Sequence, residues 1–268
     1  MLDLLFNRTP IWLFGVGTFV VLCLTAEAGF RLQQWLDRPA SAEEVRRGGV
    51  GQILGVSLGL MSLLLSFTFS IAVNRHDARR VLVVGEANAI GTAWLRADMA
   101  PEPYRTALEQ TLKDYVQVRV GFYDAGEDEA RLDAVEQRTD ALQRQLWATT
   151  GQVVRSTANT ELSTALMQAM NDMFDLAPAQ KAALAAHVPI AVLTTLSVLL
   201  LASALMMGAV LGDLGQRHLL MTLMLLAVLS AVMTLIIDID RPRQSHVRVD
   251  PGRMLDLRQT LLAAAEEK

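Results

Sequence analysis

The stretch GQILGVSLGLMSLLLSFTFSIAV, residues 51–73, decides the fold. It carries no charged side chain over 23 residues. At ~1.5 Å of rise per residue, a helix of that length crosses a bilayer core of ~30 Å. Outward from it, Thr9–Ala26, Val188–Gly212 and Leu219–Ile237 are uncharged in the same way. The expected spans are therefore about 9–28, 51–73, 188–212 and 219–238. Glu27 follows the first run closely, and Ala26-Glu27-Ala28 has the small-x-small form of a signal-peptide cleavage site. The run is longer than the ~7–15 apolar residues of a signal peptide, which favours its retention.

Composition agrees. Of 268 residues, 52% are hydrophobic and 19% charged, against roughly 25% charged in an average soluble domain. So apolar a chain is not a disordered one. A net charge of −4 excludes a generally basic nucleic-acid binder, and a single Cys23 excludes an intramolecular disulfide or a Cys-based zinc site. The partners expected are the lipid bilayer, further copies of the chain and inorganic ions, with no nucleic acid.

Orientation follows from Lys and Arg near the span ends. Four spans place both termini and the region between spans two and three on one side. That side holds Arg8, Arg75, Arg79, Arg80, Lys181, Arg241, Arg243 and Arg248. The other holds Arg31, Arg38, Arg46, Arg47 and Arg217. Eight against five predicts a cytoplasmic amino terminus, carboxyl terminus and central region. The chain then divides into residues 1–74 (first transmembrane pair), 75–187 (cytosolic helical domain), 188–240 (second transmembrane pair) and 241–268 (cytosolic C-terminal segment).

The segments between spans read as helix. Pro39 stops the element before it, and Ser41-Ala-Glu-Glu44 fits a capping box that would start a helix near Ala42. No Pro follows until Pro101, so this helix is expected to run through the membrane to about Met99, its outer part projecting ~35–40 Å. A helix over Glu102–Tyr123 is ended by Asp124-Ala-Gly126. A longer one is expected from Glu127 to about Asp175, bent near Gly151, with Leu132, Val135, Leu142, Leu146, Leu162, Leu166, Met170 and Met173 on one face. Pro178 suits the first turn of a helix entering the third span, and Pro189 should kink it. His246–Val249 is at best a short extended piece. Asp250-Pro251 reads as the cap and first residue of a closing helix carrying Leu257, Leu261 and Leu262.

Motifs for catalysis are nearly absent, and neither an enzyme nor a cofactor is expected. His76, His187, His218 and His246 show no metal spacing, and none lies inside a span, which argues against a membrane haem. Gly49, Gly51 and Gly55 open a spanning helix instead of following a strand, so they are no dinucleotide fingerprint. Asp238 and Asp240 are too few to hold a divalent cation.

The second span is more informative. Gly55, Gly59, Ser62, Ser66, Ser70 and Asn74 fall at spacings of four, three, four, four and four, one slowly drifting stripe of a helix. Such a stripe can pack closely against another helix. Repeated around a ring, it can instead line an aqueous path, with Phe67 or Phe69 as a constriction. Beyond it, Arg75, Asp77, Arg79 and Arg80 must be solvated or paired at the membrane exit, Asp77 with Arg80 three residues on. Asp238, Asp240 and Arg241 close the fourth span on the same side. The two clusters form either an inter-helix ion network or a charged mouth. Further along, Glu86 and Asn88 lie among small residues, where polar groups need partners and can fix oligomer register.

Residues 65–96, LSFTFSIAVNRHDARRVLVVGEANAIGTAWLR, resemble the signature of the bacterial bestrophin-like domain family of unknown function. Asp238-Ile-Asp-Arg-Pro242 resembles its second signature, and the likeness covers about residues 45–265. The family is more distantly similar to true bestrophins, pentameric ion channels with four spans and long cytosolic helices. In those the second spanning helix lines the pore and narrows at three apolar residues. The comparable positions here are near Leu58, Ser62 and Ser66, mostly hydroxyl. An acidic calcium clasp like that of animal bestrophins is not found. The resemblance implies an all-α membrane protein of four transmembrane helices with a long-helix cytosolic domain. It implies a homo-oligomer of the bacterial inner (cytoplasmic) membrane, expected to be a pentamer, acting as a passive ion channel. The alternative is a non-conducting scaffold or sensor whose cytosolic helices recruit a partner.

Overall fold

The computed structural model describes residues 10–36, 43–126, 128–215, 217–242 and 249–266. These form α1 (Ile11–Leu36), α2 (Glu43–Ala97), α3 (Tyr104–Asp124), α4 (Glu129–Ser156), α5 (Thr160–Ala185), α6 (Ile190–Leu214), α7 (Leu219–Asp240) and α8 (Gly252–Glu266), with no strand among the described residues. Four stretches are long and apolar enough to cross a membrane, carried by α1, α2, α6 and α7. The chain is an all-helical membrane protein. Ser41 of the expected capping box, Glu127, Arg243, and His246 to Arg248 lie outside the described residues.

Two compact units share the chain, dividing between Asn74 and Arg75, between Ala186 and His187, and after Arg241. The first holds α1, α2 as far as Asn74, α6 and α7. Met61, Leu65, Leu196, Leu200, Met233 and Ile236 are central to its core. Its tightest contact is a glycine crossing of α1 and α6. A Cβ on Gly208 would collide with the carbonyl of Ala26, one on Gly29 with that of Leu205, and one on Gly212 would lie 2.7 Å from the oxygen of Phe30. Small residues let two helix backbones meet where lipid supplies no hydrophobic drive. Hydroxyls join the remaining spans: Ser57 Oγ lies 3.0 Å from Ser203 Oγ, and Ser230 Oγ donates to the Gly15 carbonyl at 2.9 Å. α1 continues past residue 28, the predicted end. Glu27 takes the Nε–H of Arg31 one turn on at 2.8 Å and the guanidinium of Arg217 at 3.0 and 3.3 Å, so its charges are paired.

The second unit packs α2 from Arg75 onward with α3, α4, α5 and α8. Ile90, Leu108, Leu112, Leu142, Leu146, Leu166, Met170 and Met254 form its core. Of the apolar face expected between residues 132 and 173, Leu142, Leu146, Leu166, Met170 and Met173 are buried, while Leu132, Val135 and Leu162 are half-buried.

The expected single helix to Asp175 is two helices. Thr157 is extended (φ −113°, ψ 140°), and the Asn159 side chain caps α5 by accepting from Leu162 N at 2.9 Å. A side-chain oxygen at that position satisfies one of the donors a helix start leaves open. Gly151 stays helical, with the Arg155 guanidinium beside it. Pro178 lies inside α5 and not in a first turn; the turn lacks one N–H donor, and buried Ala177 and Gln180 flank it. Pro189 does not kink a helix. The chain leaves helical geometry at Ala186, and Pro189 is the residue that opens α6. α2 ends at Ala97, short of Met99, and α3 begins at Tyr104 instead of Glu102, after Pro103. The Asp250 carboxylate caps α8 by accepting from Gly252 N at 2.8 Å.

Candidate functional site

The membrane part of α2 has two unlike faces. Met61, Leu65, Thr68 and Ala72 are buried, and Leu54 and Leu58 half-buried, at spacings of three and four. This is the face α2 turns to the core of the first unit. Gly55, Gly59, Ser62, Ser66, Ser70 and Asn74 are all exposed. A Cβ on Gly51, Gly55 or Gly59 would meet nothing within 4 Å, so among the described residues these glycines pack against no neighbouring helix. The close crossing that small residues allow is made by Gly29, Gly208 and Gly212 instead. Ser66 Oγ donates to the Ser62 carbonyl at 2.8 Å, an internal bond open to serines in spanning helices.

At 100° per residue, Phe67 and Phe69 fall on opposite flanks of the stripe, 59% and 38% exposed. Val56, Leu60 and Leu63 extend the Phe67 flank and are exposed too. Of the positions the family likeness suggests as a narrowing, Ser62 and Ser66 lie on the open face, whereas Leu58 packs against the core.

The charged residues beyond Asn74 differ in role. Arg79 is 3% exposed, and its Nε and Nη2 donate to the carbonyls of Ala183 and Ala186 at 3.0 and 2.7 Å. It closes the C-terminus of α5, where unpaired carbonyls and the negative end of the helix dipole favour a cation. Arg75 is half-buried; Asp77 and Arg80 are exposed. Asp77 lies 3.7 Å from His76 Nδ1, and the expected Asp77–Arg80 pair is not formed among the described residues.

At the end of α7, Asp238, Asp240 and Arg241 are buried. Both carboxylate oxygens of Asp240 accept from Val188 N, at 2.9 and 3.1 Å, and His187 Nδ1 meets the Asp240 carbonyl at 3.0 Å. Arg241 N donates to the Asp238 carbonyl at 3.1 Å. Asp240 thus supplies an acceptor for backbone that the break before α6 leaves open.

Of the two residues singled out for packing or register, Asn88 is exposed and Glu86 is fully buried. Glu86 belongs to a network that sequence reasoning missed. Arg119, 2% exposed, sets Nε 2.5 Å from Glu86 Oε1 and Nη2 3.3 Å from Oε2. Tyr123 Oη lies 3.2 Å from Glu86 Oε2 and 2.5 Å from the side-chain amide of Gln180. Burial would push the Arg119 guanidinium down, but the charge of Glu86 and its hydrogen bonds hold it above its ordinary value. Burial, then Glu86, raises the Tyr123 phenol and pushes Tyr115 up to about 12. The signal for Arg119 was present in the sequence. Leu108, Leu112, Tyr115, Arg119 and Phe122 recur at four, three, four and three, which places an arginine on the core face of α3.

A Bestrophin-like domain model matches residues 19–254. The chain belongs to the Bestrophin-like domain family. No curated protein matches it. Among solved structures, it is similar to a variant of a bacterial Bestrophin homolog from Klebsiella pneumoniae, with a TM-score of 0.67 at 13% identity over 94% of this chain and 98% of that one. A crystal structure of a membrane protein variant matches with a TM-score of 0.68 at 14% identity, over 92% of this chain and 97% of the other. At these identities the likeness establishes a shared bestrophin fold.

Proposed function

We propose that the protein is a homo-oligomeric passive ion channel of the cytoplasmic membrane, a pentamer in which the exposed face of α2 lines the ion path. The observation that carries this reading is the Gly55-to-Asn74 stripe. It is the small and hydroxyl-bearing side of a spanning helix, and among the described residues the subunit's own helices leave it uncovered. Exposed serines on a spanning helix favour contact with water or with another polar surface over contact with lipid tails. Family membership supports the same reading, because true bestrophins are pentameric ion channels.

The channel's long-helix unit and both termini then lie in the cytoplasm, in keeping with the Lys and Arg count. Arg75 and Arg80 are the candidates to act on ions at the cytoplasmic mouth, since Arg79 is committed to the end of α5. Native mass measurement together with ion flux from reconstituted vesicles tests the proposal. A ring with measurable flux supports it; a clean monomer removes the shared path. A well-assembled ring with no flux under varied voltage and ligands would assign the protein to the scaffold class instead.

A further inference from the structure

A crevice of about 320 Å³ lies between α1, α6 and α7 in the first unit. Gly17, Thr18 and Leu22 line it from α1, Ser197 and Leu200 from α6, and Met233 from α7. None of its lining residues is charged, and none belongs to α2. The hydroxyl of Ser197 is used within its own helix, donating to the Leu193 carbonyl at 2.8 Å. An apolar cavity without convergent polar partners does not hold water. Left empty, it loses the dispersion contacts its walls would otherwise make.

The outward face of α1 shows what is available to fill it. Trp12 and Trp35 are 68% and 81% exposed near the two ends of the helix, and Val16, Val20 and Leu24 are exposed between them. Twenty-three residues of helix separate the tryptophans by ~35 Å. Paired tryptophans at that separation are the aromatic anchors of a span at its two membrane–water interfaces. Leu13 and Val21, which border the crevice between the two tryptophans along α1, and Leu201 on its α6 side are themselves exposed, so the crevice opens onto apolar surface at bilayer depth, and no residue of α2 borders it. We propose that this crevice is a binding site for one acyl chain of a bilayer lipid. Gly17 keeps it open: a Cβ there would meet nothing within 4 Å.

The test uses the full-length protein in phosphatidylethanolamine–phosphatidylglycerol vesicles carrying a lipid with a photoreactive diazirine on its acyl chain. Cross-links should be enriched several-fold at Gly17, Thr18, Leu22, Ser197 and Leu200 over Val16, Val20 and Leu24. Gly17→Phe places a ring in the open space and should abolish the enrichment while labelling at Val20 and Leu24 persists. Ser197→Phe fills the crevice from α6 and has to give the same loss. Uniform labelling of wild type, or enrichment that survives both substitutions, would overturn the proposal. So would a disulfide between copies bearing Gly17→Cys, which would show a second subunit covering the crevice.

Discussion

Glu86 and Arg119 form an ion pair closed off from solvent, 2.5 Å apart at Oε1 and Nε, joining α2 to α3. Removing one partner strands the other charge in the core, which typically costs ~3–5 kcal/mol. Glu86→Gln or Arg119→Met should each lower the thermal unfolding midpoint strongly. Combining Glu86→Gln with Arg119→Met should recover much of the loss, because neither charge is then left unpaired. Single variants as stable as wild type would show that the pair carries no such weight.

The tyrosines give a pH prediction of definite sign. The Tyr115 phenol is raised from 10.0 to about 12 by burial and then by Glu86. A phenol held neutral in the folded state binds its proton more tightly there than in the unfolded chain. Its contribution is complete below pH 10 and is lost as pH rises towards about 12. Tyr123 is shifted in the same direction. Tyrosinate absorbance from these two side chains should therefore rise together with loss of helical circular dichroism above pH 10. Tyr115→Phe should weaken the alkaline dependence. Ionisation of both phenols before any unfolding would contradict their burial.

Glycines on different helices should respond oppositely to the same change. Gly208→Val forces a side chain into the backbone of α1, and overpacking of this kind costs ~1–3 kcal/mol or more. Subunit folding and detergent-extracted yield should fall. Gly59→Val meets open space and should leave the subunit's stability unchanged, so any effect should appear in assembly or flux. Size-exclusion and thermal measurements on the two variants separate the outcomes.

Asp240 is read as an acceptor for the Val188 N–H and not as an ion-path charge. Asp240→Leu leaves a buried donor unpaired, a loss of ~1–3 kcal/mol. Asp240→Asn keeps an acceptor and should recover most of the stability. Ion selectivity should match wild type in the Asn variant. A shifted reversal potential would restore Asp240 to the mouth.

The four spans were legible because an uninterrupted apolar run of that length has few other outcomes. The stripe on α2 was legible by its spacing, but the sequence could not say which surface it met. Gly208-Ala-Val-Leu-Gly212 in the third span carries the small-xxx-small pattern and makes the close crossing with Gly29 and α1, but the pattern alone does not name its partner helix. The break between α4 and α5 was hidden because Thr157 and Ala158 fit a helix well enough. Only Asn159, three residues before Leu162, marked the restart. Arg119 could be placed on a core face, but its partner is 33 residues away, and local spacing does not reach that far. Arg79 and Asp240 looked like members of one charged cluster because sequence shows charge and not the backbone groups awaiting a partner.

A cysteine on the open face of α2 reports whether that face lines an ion path. In a background with Cys23→Ser, Ser66→Cys places a thiol on the exposed stripe, and Leu65→Cys places one on the packed face. A small water-soluble thiol reagent needs an accessible thiolate to react. On reconstituted protein, Ser66→Cys should be modified and its ion flux altered, while Leu65→Cys should stay protected with its flux unchanged. A Ser66→Cys thiol that remains unmodified in a conducting preparation, or that is fully modified without any change in flux, would contradict the account.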